Sequence, residues 1–174
     1  IKASLAGVIS GVMESKEYDV VYGSLNGITG ILDNRFLNLT EIFQGKEEMR
    51  KRLIMTPAMY LGSCRYKLPD AMEDPGVYER IFRFFAEKEI EAFFYIGGND
   101  SMDTVVKLAA YAKKVKSPVR VIGIPKTIDN DLCMTDHTPG FGSAAKYVAS
   151  TFLEIAHDTY IYKVKSVTIV EIMG

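Results

Sequence analysis

The stretch Ala92-Phe93-Phe94-Tyr95-Ile96-Gly97-Gly98-Asn99-Asp100-Ser101 decides how the rest of the chain is read. Its first five residues are apolar without alternation. A strand with one face in water would alternate, so this run predicts a strand buried on both faces. Gly97-Gly98 then turns the chain, and a helix is expected from about Ser101 to Lys116. Strand, glycine turn and helix in that order are the repeating unit of an α/β protein.

Working outward, the same alternation continues downstream. A strand is expected over 119–124, then the loop Pro125-Lys126-Thr127-Ile128-Asp129-Asn130-Asp131-Leu132, a helix from about Pro139 to Asp158, and a strand over 166–172. Upstream, Asp74-Pro75 reads as cap and first residue of a helix reaching Glu89, with Ile81, Phe82, Phe85 and Ala86 on its apolar face. Residues 60–70 read as loop. Segments 39–43 and 46–54 read as short helices, the second closed by Pro57. Asp19–Gly23 reads as a short buried strand, with a loop marked by Gly23, Gly27 and Gly30 after it. Leu5, Val8, Ile9, Val12 and Met13 give residues 2–17 a helical pattern. Together these predict a Rossmann-like, three-layer α/β/α fold with a mainly parallel sheet. The chain opens on a helix and stops at Met173-Gly174, where a loop should leave a strand, so a piece of a larger protein, incomplete at both ends, is expected.

The composition narrows the function. The 174 residues are 48% hydrophobic and 25% charged, enough for one domain with a core, and the net charge of −1 provides no general field for nucleic acid. No apolar run approaches the ~20 residues a membrane span needs. Cys64 and Cys133 lie far apart without a metal-ligand pattern and read as free thiols of a reducing compartment, so a cytoplasmic location is expected. His137 and His157 have no nucleophile or ligand set beside them.

In folds of this class ligands sit at the carboxyl ends of the strands. Three stretches there carry unusual residues. Gly97 and Gly98 let the backbone come close to a ligand, and the N–H groups opening the next helix then face an anion. The plainer reading is a strand-to-helix turn with Asp100 or Ser101 as cap. No G-x-x-x-x-G-K-[ST] pattern occurs, which excludes a Walker loop. In the 125–132 loop, Asp129 and Asp131 are two apart and share a side if the loop is extended. One can take a proton while the other organises charge or a metal. Lys126 suits a phosphate, and Thr127 can donate to it. The competing reading is an Asx-turn network that satisfies the loop's own backbone. In Leu61-Gly62-Ser63-Cys64-Arg65, the arginine can grip a phosphate through two parallel bonds or can be an ordinary surface residue.

Anion-binding turns with a paired-carboxylate loop suggest phosphoryl transfer. The succession LGSCR (61–65), GGNDS (97–101), PKTIDND (125–131), TPGFGSA (138–144) and terminal MG (173–174) closely resembles the phosphofructokinase family across nearly the whole chain. The TIDND stretch is specific to it, whereas the Gly-Gly turn would also fit NAD or lipid kinases. The resemblance implies an enzyme that phosphorylates the 1-hydroxyl of fructose 6-phosphate, with magnesium as cofactor and a homo-oligomer as the intact protein. It implies that residues 1–174 are the donor-binding, N-terminal domain, with the sugar-binding domain outside this sequence. Asp129 would take the proton from the 1-hydroxyl, Thr127 would hold the reacting end of the sugar, and Asp131 would set charge. Arg65 would grip the transferring phosphate. Gly97, Gly98, Asp100 and Ser101 would carry the donor, with Asn99 and Asp100 at the metal. Met173 and Gly174 match the start of a Met-Gly-Arg motif that contacts the sugar.

Two positions bear on the donor. ATP-using members usually read Gly-Gly-Asp-Gly-Ser and Pro-Gly-Thr-Ile-Asp-Asn-Asp. This chain has Asp100 and Lys126 where those motifs have glycine, as the family's pyrophosphate users characteristically do. A carboxylate at 100 would crowd and repel a nucleotide's α-phosphate, and a lysine at 126 would hold the second phosphate of pyrophosphate. Pyrophosphate is therefore the expected donor, with ATP as the alternative. Asn99 departs from the usual magnesium-contacting aspartate, and Lys2 stands where the family's opening loop runs into an asparagine. These departures leave a second alternative, a non-catalytic regulatory homologue that binds phosphosugar.

Overall fold

A computed structural model describes residues 1–56 and 58–172. By packing, the chain divides into two units, Ile1–Pro125 and Lys126–Gly174.

The first unit is organised around a parallel pair, β3 (Ala92–Gly97) and β4 (Arg120–Pro125), with Ala92 opposite Arg120 and Gly97 opposite Pro125. Alternate β3 residues go to opposite faces, as the pleat requires. Phe93 and Tyr95 pack on a core made of Ile28, Ile31, Leu68, Tyr78, Ile81, Phe85, Leu108 and Val119. Ile96 packs on a second core of Leu5, Ala6, Ile9, Leu39, Phe43 and Leu53. The run 92–96 has apolar neighbours on both faces, but its residues are half-buried rather than buried, and Ile122 of β4 is exposed. The structure is a Rossmann-like α/β fold.

The elements before β3 supply most of those cores, with Leu108 and Val119 added from beyond it. These elements are α1 (Lys2–Ser15), β1 (Tyr22–Ser24), α2 (Ile28–Leu32), β2 (Phe36–Asn38), α3 (Leu39–Phe43), α4 (Glu47–Met55) and α5 (Pro75–Glu87). Asp74 caps α5 as the sequence predicts, its side chain accepting the Val77 N–H at 3.3 Å with Pro75 in the first turn. Tyr78, Ile81 and Phe85 are the buried face of α5. Burying each is worth about 1.5–3 kcal/mol, which is what docks the helix. Between β3 and β4 runs α6 (Asn99–Lys114), which buries Thr104, Leu108 and Ala112. Its first turn comes very close to β4. A Cβ on Gly123 would lie 2.8 Å from the Met102 sulfur and 3.3 Å from a Val105 methyl.

Several expectations are corrected in this unit. β1 is shorter and later than Asp19–Gly23, only Gly23 is buried, and Val20 is exposed. The expected loop around Gly27 and Gly30 contains α2, with Gly30 buried inside it. β2 was not anticipated. It pairs antiparallel with β1, so the first unit is not all parallel. Ala86 is exposed, and Tyr78 takes the place given to it on the buried face of α5. The expected Pro57 closure lies outside the described residues.

In the second unit, Thr127 and Gly140 form a parallel bridge, and α7 (Phe141–Tyr160) follows. The helix begins two residues after the expected Pro139 and buries no residue. The expected strand 166–172 does not form, and Val167 and Ile169 are 90% and 89% exposed. Strand composition is not sufficient. A strand needs a neighbour to complete its hydrogen bonds, and this segment has none among the described residues. Cys133 is exposed and Cys64 half-buried, and both are free thiols, as their spacing predicts. Among the described residues no helix is long and apolar enough to cross a membrane.

Candidate active site

The turn after β3 is shaped by main chain and close packing. Gly97 ends the strand, and the space its Cβ would occupy holds the Ser101 side chain, with Oγ 2.0 Å and Cβ 2.4 Å from the ideal position. No other residue fits there without displacing the helix start. Gly98 is the N-cap of α6 and provides no side-chain cap bond, which overturns the reading of Asp100 or Ser101 as the cap. The first helical bond runs from the Met102 N–H to the Gly98 carbonyl at 3.0 Å. The main-chain N–H groups of Asp100 and Ser101 precede it, at the positive end of the helix dipole. Asn99 and Asp100 are exposed in this first turn. The Asp100 carboxylate has no hydrogen-bond or ion-pair partner among the described residues, while its carbonyl accepts the Thr104 hydroxyl at 3.0 Å.

The 61–65 loop is tied to the turn at Gly27. The Asn26 N–H donates to the Leu61 carbonyl at 2.7 Å, and the Asn26 side-chain amide donates to the Ser63 carbonyl at 3.2 Å. Gly27 and Gly62 have φ values of +62° and +74°. A Cβ at Gly27 would meet the Cys64 sulfur at 3.0 Å and the Tyr95 hydroxyl at 3.4 Å. Burial, followed by the adjacent Cys64 thiol, pushes that hydroxyl up to about 12. Arg65 is exposed and without an ion-pair partner among the described residues.

The 125–131 loop is built differently, from side chains that satisfy its own backbone. Thr127 is buried, and its Oγ1 accepts the Asp129 N–H at 3.0 Å. The Thr127 N–H donates to the Pro139 carbonyl at 3.0 Å, and the Thr127 carbonyl accepts the Thr138 hydroxyl at 2.9 Å. Asn130 has φ +56°, a conformation asparagine tolerates. Its side chain accepts the Thr138 N–H at 3.0 Å and donates to the Asp136 carbonyl at 3.1 Å. Gly140, at φ +113°, lets the chain pass Thr127, whose carbonyl oxygen would be 3.1 Å from a Cβ.

This network changes the expectation in two ways. The loop is not extended at Asn130, so the alternation that would put Asp129 and Asp131 on one side is broken. The Asx-type and Thr-type reading is realised, through the side chains of Thr127, Asn130 and Thr138. Lys126 and the exposed Asp129 carboxylate have no side-chain bond or ion pair among the described residues, so the loop's own stability does not use them.

Arg65 and 97–101 lie in the first unit, whereas Lys126, Thr127, Asp129 and Asp131 lie in the second. Gly97 and Pro125 are paired, so β3 and β4 end level with each other. Met173 and Gly174 lie outside the described residues. Sequence reasoning missed the supports: Asn26, Tyr95, Asn130 and Thr138. An asparagine between two aspartates and a threonine just before Pro-Gly were the local signals for the last two. Among the described residues no group of three or more His, Cys, Asp or Glu gathers into a metal cage.

Comparison with known proteins agrees with these motifs. The family described as Phosphofructokinase matches residues 2–174. A pyrophosphate–fructose 6-phosphate 1-phosphotransferase of Halomonas elongata is 41% identical over 100% of this chain and 42% of its own length. The enzyme of that name from Rhodospirillum rubrum is 45% identical over 83% of this chain and 35% of its own. A crystal structure of a pyrophosphate-dependent phosphofructokinase from Nitrosospira multiformis superposes with a TM-score of 0.80 at 39% identity, covering 91% of this chain and 38% of that one. The chain thus spans 35–42% of the length of these relatives. Motif order, fold and full-length family match agree, and the chain belongs to the phosphofructokinase family.

Proposed function

We propose that these residues form the phosphoryl-donor half of a pyrophosphate-dependent fructose 6-phosphate 1-phosphotransferase. The observation that carries this reading is the division of labour in the 125–131 loop. Thr127 and Asn130 satisfy the backbone, which leaves Lys126 and Asp129 available to a ligand. Asp129 takes the proton from the sugar 1-hydroxyl as that oxygen attacks the terminal phosphorus of pyrophosphate. The bond from phosphorus to the bridging oxygen breaks, and phosphate leaves. Thr127 keeps its hydroxyl proton for the reacting end of the sugar, because its oxygen already accepts from the Asp129 N–H. Asp131 adds charge beside this step.

The donor lies at the Gly97-Gly98 turn, held by the first-turn N–H groups and Ser101. Asp100 already places a negative charge at the α6 N-terminus, so a polyanionic donor needs added cations there. Arg65 and Lys126 are the two cations that the motifs assign to the donor's phosphates. Asn99 and Asp100 would hold a magnesium ion, which would supply the remaining positive charge for the phosphates. The donor set fits, because magnesium is commonly held by one or two protein oxygens together with substrate phosphates and water. Catalysis on this reading is positioning and charge neutralisation. Asp100 and Lys126 also favour pyrophosphate over ATP, one by excluding the α-phosphate end of a nucleotide and the other by binding the second phosphate. The intact protein is then a cytoplasmic homo-oligomer whose sugar-binding domain lies outside this sequence.

The test is a phosphoryl-donor assay on the intact protein, with fructose 6-phosphate as acceptor and pyrophosphate or ATP as donor. Turnover with pyrophosphate well above that with ATP is expected. A preference for ATP overturns the donor assignment. Asn99, uncharged where an aspartate is usual, favours a second reading, a regulatory phosphosugar-binding homologue. Binding of fructose 6-phosphate with no turnover on either donor selects that one.

A further inference from the structure

Lys107 stands on α6 two turns along from Asp100, and the proposed reaction does not use it. Its ammonium pairs with the Asp103 carboxylate one turn earlier, at 2.7 Å. A pair at this spacing is ordinary on a helix surface, and α4 carries Lys51–Glu47 and Arg52–Glu48 in the same way. Those two cations are 65% and 79% exposed, whereas the Lys107 side chain is 24% exposed. The difference has a cause. The Lys107 ammonium also reaches off its helix and donates to the Leu68 carbonyl at 3.1 Å. Residues 62–70 form neither helix nor strand, so their main-chain groups must find partners elsewhere. Leu68 is buried in the core, and Cys64 and Tyr66 pack against that core on either side of the exposed Arg65. Before Arg65, the Asn26 amide holds the Ser63 carbonyl. After it, the Tyr78 hydroxyl donates from α5 to the Pro69 carbonyl at 2.7 Å, and Lys107 holds Leu68 from α6.

We propose that Lys107 is a positioning residue that ties the segment carrying Arg65 to α6, and so sets Arg65 at a fixed place relative to the Asp100 and Ser101 N–H groups. The proposal rests on the reading that Arg65 and the first turn of α6 bind the phosphoryl donor. A ligand gripped from two elements loses affinity when either one drifts, because binding must then order both. The Arg65 segment has no strand ladder to hold it, and it starts at Gly62, where φ is +74°. Lys107 joins it to the same helix that opens with the donor turn. Helical rise puts the ammonium's anchor about 10 Å along the axis from Asp100, a distance spanned by continuous helix. Asp103 completes the device. A lysine stem is flexible, and the carboxylate holds it in the one arrangement that reaches Leu68.

The experiment compares Lys107→Met, which keeps the stem and removes the ammonium, with the parent in the intact protein. Magnesium pyrophosphate is the probe. Calorimetry gives the dissociation constant, and steady-state assays give KM for each substrate. Kd and KM for pyrophosphate rise about tenfold, the low end of what one charge-assisted bond to phosphate is worth. KM for fructose 6-phosphate stays near the parental value. Lys107→Arg, whose guanidinium can serve both the Asp103 carboxylate and the Leu68 carbonyl, recovers most of the affinity. Asp103→Ala leaves the ammonium in place but unheld, and causes a smaller loss of the same kind. Parental pyrophosphate affinity in Lys107→Met overturns the proposal and leaves the donor reading standing. If Lys107→Met does not fold, parental affinity in Asp103→Ala has the same force. An equal rise in both KM values also overturns it, since that marks a purely structural role. A parent without measurable pyrophosphate affinity defeats the donor reading, and this proposal with it.

Discussion

The turn at 97–101 and the loop at 125–131 both follow strands of one parallel ladder, yet they keep their shapes by opposite means. The first is defined by what it lacks. Two glycines bring the helix start against the strand, and no side chain caps the helix. The second is defined by side-chain bonds from Thr127, Asn130 and Thr138 to neighbouring main chain. A site formed by omitted side chains is sensitive to any added atom. A site formed by a hydrogen-bond network is sensitive to any lost one. Two of the residues proposed for chemistry, Asp129 and Lys126, keep their side chains outside this network, so they can be changed with little structural cost.

The sharpest way to break this comparison is at Asp129. Asp129→Asn in the intact protein is expected to lower turnover by roughly 10²–10⁴, the usual contribution of a general base, and to leave donor affinity and melting temperature nearly unchanged. Turnover within a few-fold of the parent removes Asp129 from the base role. A large fall in melting temperature would show that it belongs to the network after all.

The donor pair comes next. Asp100→Gly with Lys126→Gly removes a charge and a side chain from one element and a cation from the other. A charge-assisted bond to phosphate is worth about 1.5–3 kcal/mol, so kcat/KM with pyrophosphate is expected to fall at least about tenfold. The ratio of ATP to pyrophosphate efficiency should rise, even if the gain with ATP itself is small. An unchanged ratio means that these two positions do not select the donor.

Two stability measurements then test the contrast itself. Gly97→Ala forces a Cβ into the space Ser101 fills, and overpacking of this kind typically costs about 1–3 kcal/mol. Thermal or urea unfolding should show it, together with weaker pyrophosphate binding. Thr138→Val keeps the shape and removes the hydroxyl that donates to the Thr127 carbonyl, at a cost of about 0.5–1.5 kcal/mol. Its effect should fall on fructose 6-phosphate kinetics more than on pyrophosphate binding. If the two variants perturb the same substrate equally, the two elements do not act as separate parts.

Much of the fold was legible where a local signal was strong. The unbroken run 92–96, its glycines and the Asp74-Pro75 cap identify β3, the start of α6 and α5 within a few residues. The failures are non-local. Phe36-Leu37-Asn38 is a strand only because Tyr22–Ser24 lies opposite, and 166–172 has strand composition but no neighbour to pair with. The candidate site shows the same divide. Its motif residues stand out by type and spacing, and their order carries the family likeness. The tie from Asn26 to Leu61 and Ser63 spans more than thirty residues, and no pattern in either segment announces it. Nor could periodicity anticipate the left-handed Asn130, which undid the extended-loop argument for Asp129 and Asp131.

The near-contact between Gly123 and Met102 bears on how such a site can change over generations. The thioether fills the volume that a side chain at 123 would need, and methionine is adaptable enough to give way. A methyl at 123 is therefore accommodated by Met102 bending, whereas a larger branched residue requires 102 to shrink at the same time. Met102 follows Ser101 directly, so a side chain at 123 presses on the first turn of α6 through Met102.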